Sequence, residues 1–197
     1  MAPEIWSLQE LINAGWSEND LAWETVSDQA VASAVGGDYT QAKDQAGEAL
    51  RLARSSFEPI DPRLGTALAN YGICLSLAGD KNALPSLVEK ALETWRGTLP
   101  WISRMEAPRV ARSSMFHLRM EALHRDTYRS RWQKRWNEMA ADAQRRLAAL
   151  SENNEIVVAP DDAILATWQR ERPAMLNDTR KLMAASLLLL APPVDGR

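Results

Sequence analysis

The chain holds a single cysteine, Cys74, so no intramolecular disulfide can form and stability must come from packing. Cys74 sits between Ile73 and Leu75 with no basic neighbour, which reads as a buried thiol rather than a nucleophile. No Gly-rich phosphate loop, Gly-x-Ser-x-Gly elbow or His-Glu-x-x-His occurs, so nucleotide, hydrolase and zinc-protease chemistry lack their sequence carriers. Strand-length alternation is absent apart from Ile156-Val157-Val158. The most apolar run, residues 182–191, is half of the roughly 20 residues that cross a bilayer, so it reads as a buried closing helix. Met-Ala-Pro-Glu at the start lacks the basic and apolar regions of a signal peptide, and a cytoplasmic protein is expected. Neither charge dominates: 23 basic and 26 acidic residues give a net charge of -3, without a global pull toward nucleic acid or anionic membrane. At 197 residues the chain is long enough for one domain with a core of its own.

What is present is helix after helix. Ser7-Leu8-Gln9-Glu10 is a capping box that opens a short helix ending at Gly15, and Ser17-Glu18-Asn19-Asp20 caps the next, which runs to Gly36-Gly37. Residues 39–56 carry Ala42, Ala46, Ala49, Leu50 and Ala53 on one stripe, and Pro59-Ile60-Asp61-Pro62 interrupts the pattern. Helices are predicted over 64–78 and 82–96, followed by a break at Gly97-Thr98-Leu99-Pro100. Pro108 opens a helix to about His124, a long one covers 126–150, and two closing helices span 161–170 and 173–190.

Gly37-Asp38 and Gly79-Asp80 lie 42 residues apart, each between two helix-period segments, and the segments that follow end in Ala49-Leu50 and Ala91-Leu92. Such a repeat means stacked helix pairs, since no single pair can bury its own apolar stripe. Gly72 inside a helix, with Ala42, Ala49 and Ala91 on the second helices, marks the close contacts. Thr66-Ala67-Leu68-Ala69-Asn70-Tyr71-Gly72 with Asp61-Pro62, Gly79-Asp80 and Ala91-Leu92 resembles tetratricopeptide repeats, and the 42-residue spacing resembles the kinesin light chain subtype rather than the usual 34-residue unit. Lys81 stands where an aromatic is common, Leu84 replaces the usual Ala, and a third copy near 108–150 lacks the Gly-Asp turn. The expected fold is all-α: a right-handed stack of antiparallel helix pairs forming one tetratricopeptide-like domain over 1–197. Capping helices occupy 1–22, two or three pairs 23–150, and closing helices 161–191.

The resemblance implies a module that binds a protein or peptide segment on the concave face lined by the first helix of each pair. Residues in 42-residue register there are Asp28, Asn70 and Arg112. In related repeats an Asn at the position of Asn70 hydrogen-bonds a bound peptide's backbone, while Arg112 could clamp a carboxylate. Thr66, Ile73 and Leu77 share the face of Asn70 by helix spacing. The alternative is that Asn70 satisfies a neighbouring helix and Arg112 is solvated.

Residues 125–146 are locally basic, with Arg125, Arg129, Arg131, Lys134, Arg135, Arg145 and Arg146 flanking an apolar stripe of Tyr128, Trp132, Trp136, Met139, Ala143, Leu147 and Leu150. The stripe reads as core, and the acidic overall balance favours an acidic protein partner over nucleic acid. Most of the eight tryptophans should be packing residues, with Trp95 and Trp101 around the 97–100 break as candidate docking residues. His117, Glu121 and His124 share one helical face, but no fourth ligand completes a metal site. No catalytic residue, metal or cofactor is expected. The reading is an adaptor, chaperone or assembly factor for a larger complex, with a fixed accessory subunit and a homo-oligomeric scaffold as open alternatives.

Overall fold

A computed structural model describes residues 8–13, 16–107, 116–153, 181, 182, 184 and 185, and no strand occurs among them. Among the described residues the helices follow in order: α1 (Leu8–Asn13), α2 (Glu18–Val35), α3 (Tyr39–Ser56), α4 (Pro62–Leu77), α5 (Leu84–Gly97), α6 (Leu99–Ile102) and α7 (Phe116–Asn153). Chain neighbours are packing neighbours: α2 lies on α3, α3 on α4 and α4 on α5, while α7 rests on α5 and α6. The domain limits drawn from the sequence fall partly outside the described residues, as do Ile156-Val157-Val158 and the 161–170 helix.

The two Gly-Asp turns are one backbone device used twice. Gly37 and Gly79 both take positive φ, 83° and 97°, where a side chain would be strained. In each turn the following Asp N–H returns to a carbonyl five residues back, Asp38 to Ser33 at 3.0 Å and Asp80 to Leu75 at 2.9 Å. The glycine N–H reaches three residues back, to Ala34 and Ser76. This pairing satisfies carbonyls that the helix end leaves open. Downstream the turns diverge. Asp38 caps α3 by accepting from Gln41 N at 3.0 Å, whereas Asp80 accepts from Asn82 N at 3.2 Å and closes a local turn. That turn delays α5 to Leu84, two residues after the start the sequence suggests.

At the other helix starts the local chemistry is equally direct. Ser17 and Asp20 exchange the two bonds of a capping box, Asp20 N to Ser17 Oγ at 3.1 Å and Ser17 N to Asp20 Oδ2 at 3.0 Å. Asp61 caps α4, whose first residue is Pro62 rather than Leu64, because proline's fixed φ suits the first helical position and its missing N–H costs nothing there. The expected break at 97–100 is a single helical turn, α6.

Small residues let α4 sit close to both neighbours. A Cβ on Gly65 would lie 2.6 Å from Trp95 Nε1, and one on Gly72 would lie 3.2 Å from Leu84 and Leu87, so both glycines face α5. Tyr71 turns the other way, toward Gly47 of α3. Trp95 fills the gap above Gly65 and donates from Nε1 to Pro62 O at 3.1 Å. Ala42, Ala49 and Ala91 are buried, as the small-residue argument requires.

The region expected to supply a third helix pair behaves differently. Residues 108–115 lie outside the described residues, and α7 continues through Arg125-Asp126, where a boundary was expected. Between 116 and 153 there is neither Gly nor Pro, so nothing in the backbone ends the helix. Trp136, Ala143, Leu147 and Leu150 are buried along its stripe, with Trp132 and Met139 packed beside them. Of the closing helix, Lys181, Leu182, Ala184 and Ala185 are described, the last three buried and Lys181 half-buried.

Candidate functional site

α4 carries the site, because its third face is turned to neither α3 nor α5. Thr66, Asn70, Ile73 and Leu77 follow one another on that face at spacings of four, three and four. Thr66 and Ile73 are fully buried, while Asn70 and Leu77 are half-buried. Thr66 Oγ1 donates to the main-chain carbonyl of Ala185, so this face is in contact with a peptide backbone, that of the chain's own closing segment. Asp28 is exposed on α2, and both Asp28 and Asn70 are engaged within the chain. Arg112 lies outside the described residues.

At the amino-terminal ends of α2 and α4 this face opens into a cleft of about 280 Å³. Its floor is an ionic trio that spacing alone did not disclose. Arg63, 1% exposed, holds Asp61 in a fork, Nε to Oδ1 at 3.0 Å and Nη2 to Oδ2 at 2.8 Å. Its third donor, Nη1, reaches Asp20 Oδ1 on α2. The remaining oxygen of Asp20 accepts from the Ser17 hydroxyl at 2.7 Å, and Asp61 also accepts from Arg63 N. The guanidinium lies 3.5 Å from the centre of the Phe57 ring and 5.8 Å from that of Trp23, and the two rings meet edge to face.

Electrostatically the trio is locked. Burial works against the charge on Asp20, but the Arg63 cation and the hydrogen bonds from Arg63 and Ser17 outweigh it and hold the carboxyl at about 2. Burial likewise opposes the Arg63 cation, and the bonds and charges of Asp61 and Asp20 overcome that, raising its pKa. With these donors and oxygens already committed, Arg63, Asp20 and Asp61 form a fixed charged floor rather than an acid–base pair. Two buried carboxylates face one guanidinium, and Glu58 adds a third acid at the cleft's exposed rim.

The other candidates fall into place around this core. Cys74 is fully buried and burial pushes its thiol up to about 12, so the thiolate is scarce at neutral pH. Trp95 is buried against Trp136 and donates into the core, so only half-buried Trp101 is left at the cleft. On α7, Arg129 donates to Met105 O at 3.0 Å, and Arg145 and Arg146 reach Asp142. Arg125, Arg131, Lys134 and Arg135 are exposed, the last over the Trp132 ring. His124 is exposed, and the side chains of His117 and Glu121 lie outside the described ones. Among the described residues no group of three His, Cys, Asp or Glu is placed to hold a metal, and no helix is long and apolar enough to cross a membrane.

Searches against protein-family models, curated proteins and solved structures give no match to this chain. Among the described residues the protein is helical without strands, and neighbouring helices pack in adjacent pairs from α2 to α5.

Proposed function

We propose that this chain is a tetratricopeptide-like interaction module of the cytoplasm, an adaptor, chaperone or assembly factor that receives a segment of another protein on the side formed by α2 and α4. The observation that carries this reading is the Thr66 hydrogen bond to a main-chain carbonyl, since a face that accepts one peptide backbone has the donors and shape to accept another. The repeated Gly-Asp turns and the sequential packing of α2 through α5 support the stacked-pair architecture. Asp28, Asn70 and Leu77 continue the site beyond Thr66 and Ile73, and Arg112 extends it by register.

A fixed accessory subunit is the second reading. Val35 and Tyr39 are exposed on the two sides of the first turn and give that edge an apolar surface suited to permanent burial.

The deciding experiment is affinity capture of the tagged chain from its native extract, compared with Asn70→Ala and Asp28→Ala. A stoichiometric partner lost from a folded variant supports the groove. A partner retained by both variants but lost on Val35→Asp supports the accessory-subunit reading instead.

A further inference from the structure

The turn formed by Lys181, Leu182, Ala184 and Ala185 sits on the same side of α4 where the proposed partner would bind. Ala185 N donates to Lys181 O at 3.1 Å, closing one helical turn. Leu182 is fully buried, Ala184 and Ala185 nearly so, and Thr66 holds the Ala185 carbonyl. The small pair lets the turn approach α4 closely. At its charged end the fit is incomplete. Lys181 lines the cleft of about 280 Å³ that also holds Asp20, Glu58 and Asp61, but among the described ion pairs these acids lie on Arg63 and Arg104 rather than on Lys181.

We propose that this turn is a displaceable internal ligand, and that the groove's external ligand is a helical segment of the same make: a cation, then a leucine, then two small residues one turn on. The inference rests on the interaction reading above and specifies its partner. A helix suits the site because the observed occupant is a helical turn, with Leu182 and the two alanines on the wall and the cation toward the cleft. A basic residue suits it because three carboxylates against Arg63 and Lys181 leave the lining acidic. An arginine in place of Lys181 would carry more donors into the cleft.

The test uses a fluorescent peptide with the sequence of residues 177–187, added to the full chain and followed by polarisation. Leu182→Asp in the protein ejects the internal turn, so this variant binds the peptide at least ten-fold more tightly than the wild-type chain. A Lys181→Glu peptide binds the same variant at least ten-fold more weakly. Equal affinity of wild type and Leu182→Asp, with circular dichroism unchanged, would overturn the proposal.

If Leu182→Asp does not fold, Thr66→Val decides by hydrogen exchange. Amides of the turn exchanging at least ten-fold faster, with α4 unchanged, support a separately opening turn. Exchange of the turn only together with α4, in both forms, rejects it. The peptide readout needs no outside partner, so failure to capture one from extract counts against the interaction reading alone.

Discussion

Arg63 and Asp20 are 43 residues apart in the chain and joined by a buried hydrogen bond between the first turns of α4 and α2. The same guanidinium forks onto Asp61, so one side chain ties two helix starts together. Removing the cation leaves two buried carboxylates without their shared counter-charge. Arg63→Met is expected to lower the unfolding free energy by about 3–5 kcal/mol, read from urea denaturation. Asp20→Asn and Asp61→Asn added to Arg63→Met should recover part of that loss. A triple variant as unstable as Arg63→Met would show that shape, not charge, accounts for the cost.

Acid should act through the same contact. Folded Asp20 ionises at about 2, below its ordinary 3.8, so its contribution is complete above pH 3.8 and is lost as pH falls toward 2. The amount at stake is on the order of 2 kcal/mol. Stability measured between pH 5 and pH 2 should therefore fall, and Asp20→Asn should flatten the part of the slope below about pH 4.

Two glycines separate backbone strain from crowding. Gly65→Ala puts a methyl group 2.6 Å from the Trp95 indole nitrogen and should cost about 1–3 kcal/mol by displacing that ring. Gly79→Ala meets nothing within 4 Å but holds alanine at φ 97°, a cost of about 1–2 kcal/mol. Gly79→Asn should cost less than Gly79→Ala, since Asn tolerates left-handed φ, whereas no such relief applies at Gly65. Thermal unfolding of the three variants checks the order.

Cys74 should resist a disulfide reagent at pH 8 for as long as the chain is folded, and react fully in urea. Its thiol is buried and held at about 12, so both access and ionisation are denied. Rapid labelling of the native protein would mean that α4 opens far more readily than its packing implies.

The sequence displays what is local. Gly37 and Gly79 announce their turns because left-handed φ selects glycine, and the alanines of α3 announce a close-packed stripe because helix spacing puts them on one side. The Arg63 trio was not legible: Asp20 and Asp61 both look like ordinary helix caps, and an ion pair between packed helices leaves no periodic trace. The third pair was expected from periodicity alone. Residues 116–153 contain no helix breaker, and local backbone preference shaped that stretch more than the 42-residue register did. Thr66 was placed on the binding side from spacing, but its contact with Ala185 lies 119 residues away, beyond the reach of any pattern.

α7 has 38 residues against 18 in α3, so it runs roughly 57 Å where α3 runs roughly 27 Å. A further layer of α3-sized helices would cover less than half of it. α7 therefore extends well past the helices of α3 size that pack beside it, and its length is set by one uninterrupted hydrogen-bond ladder.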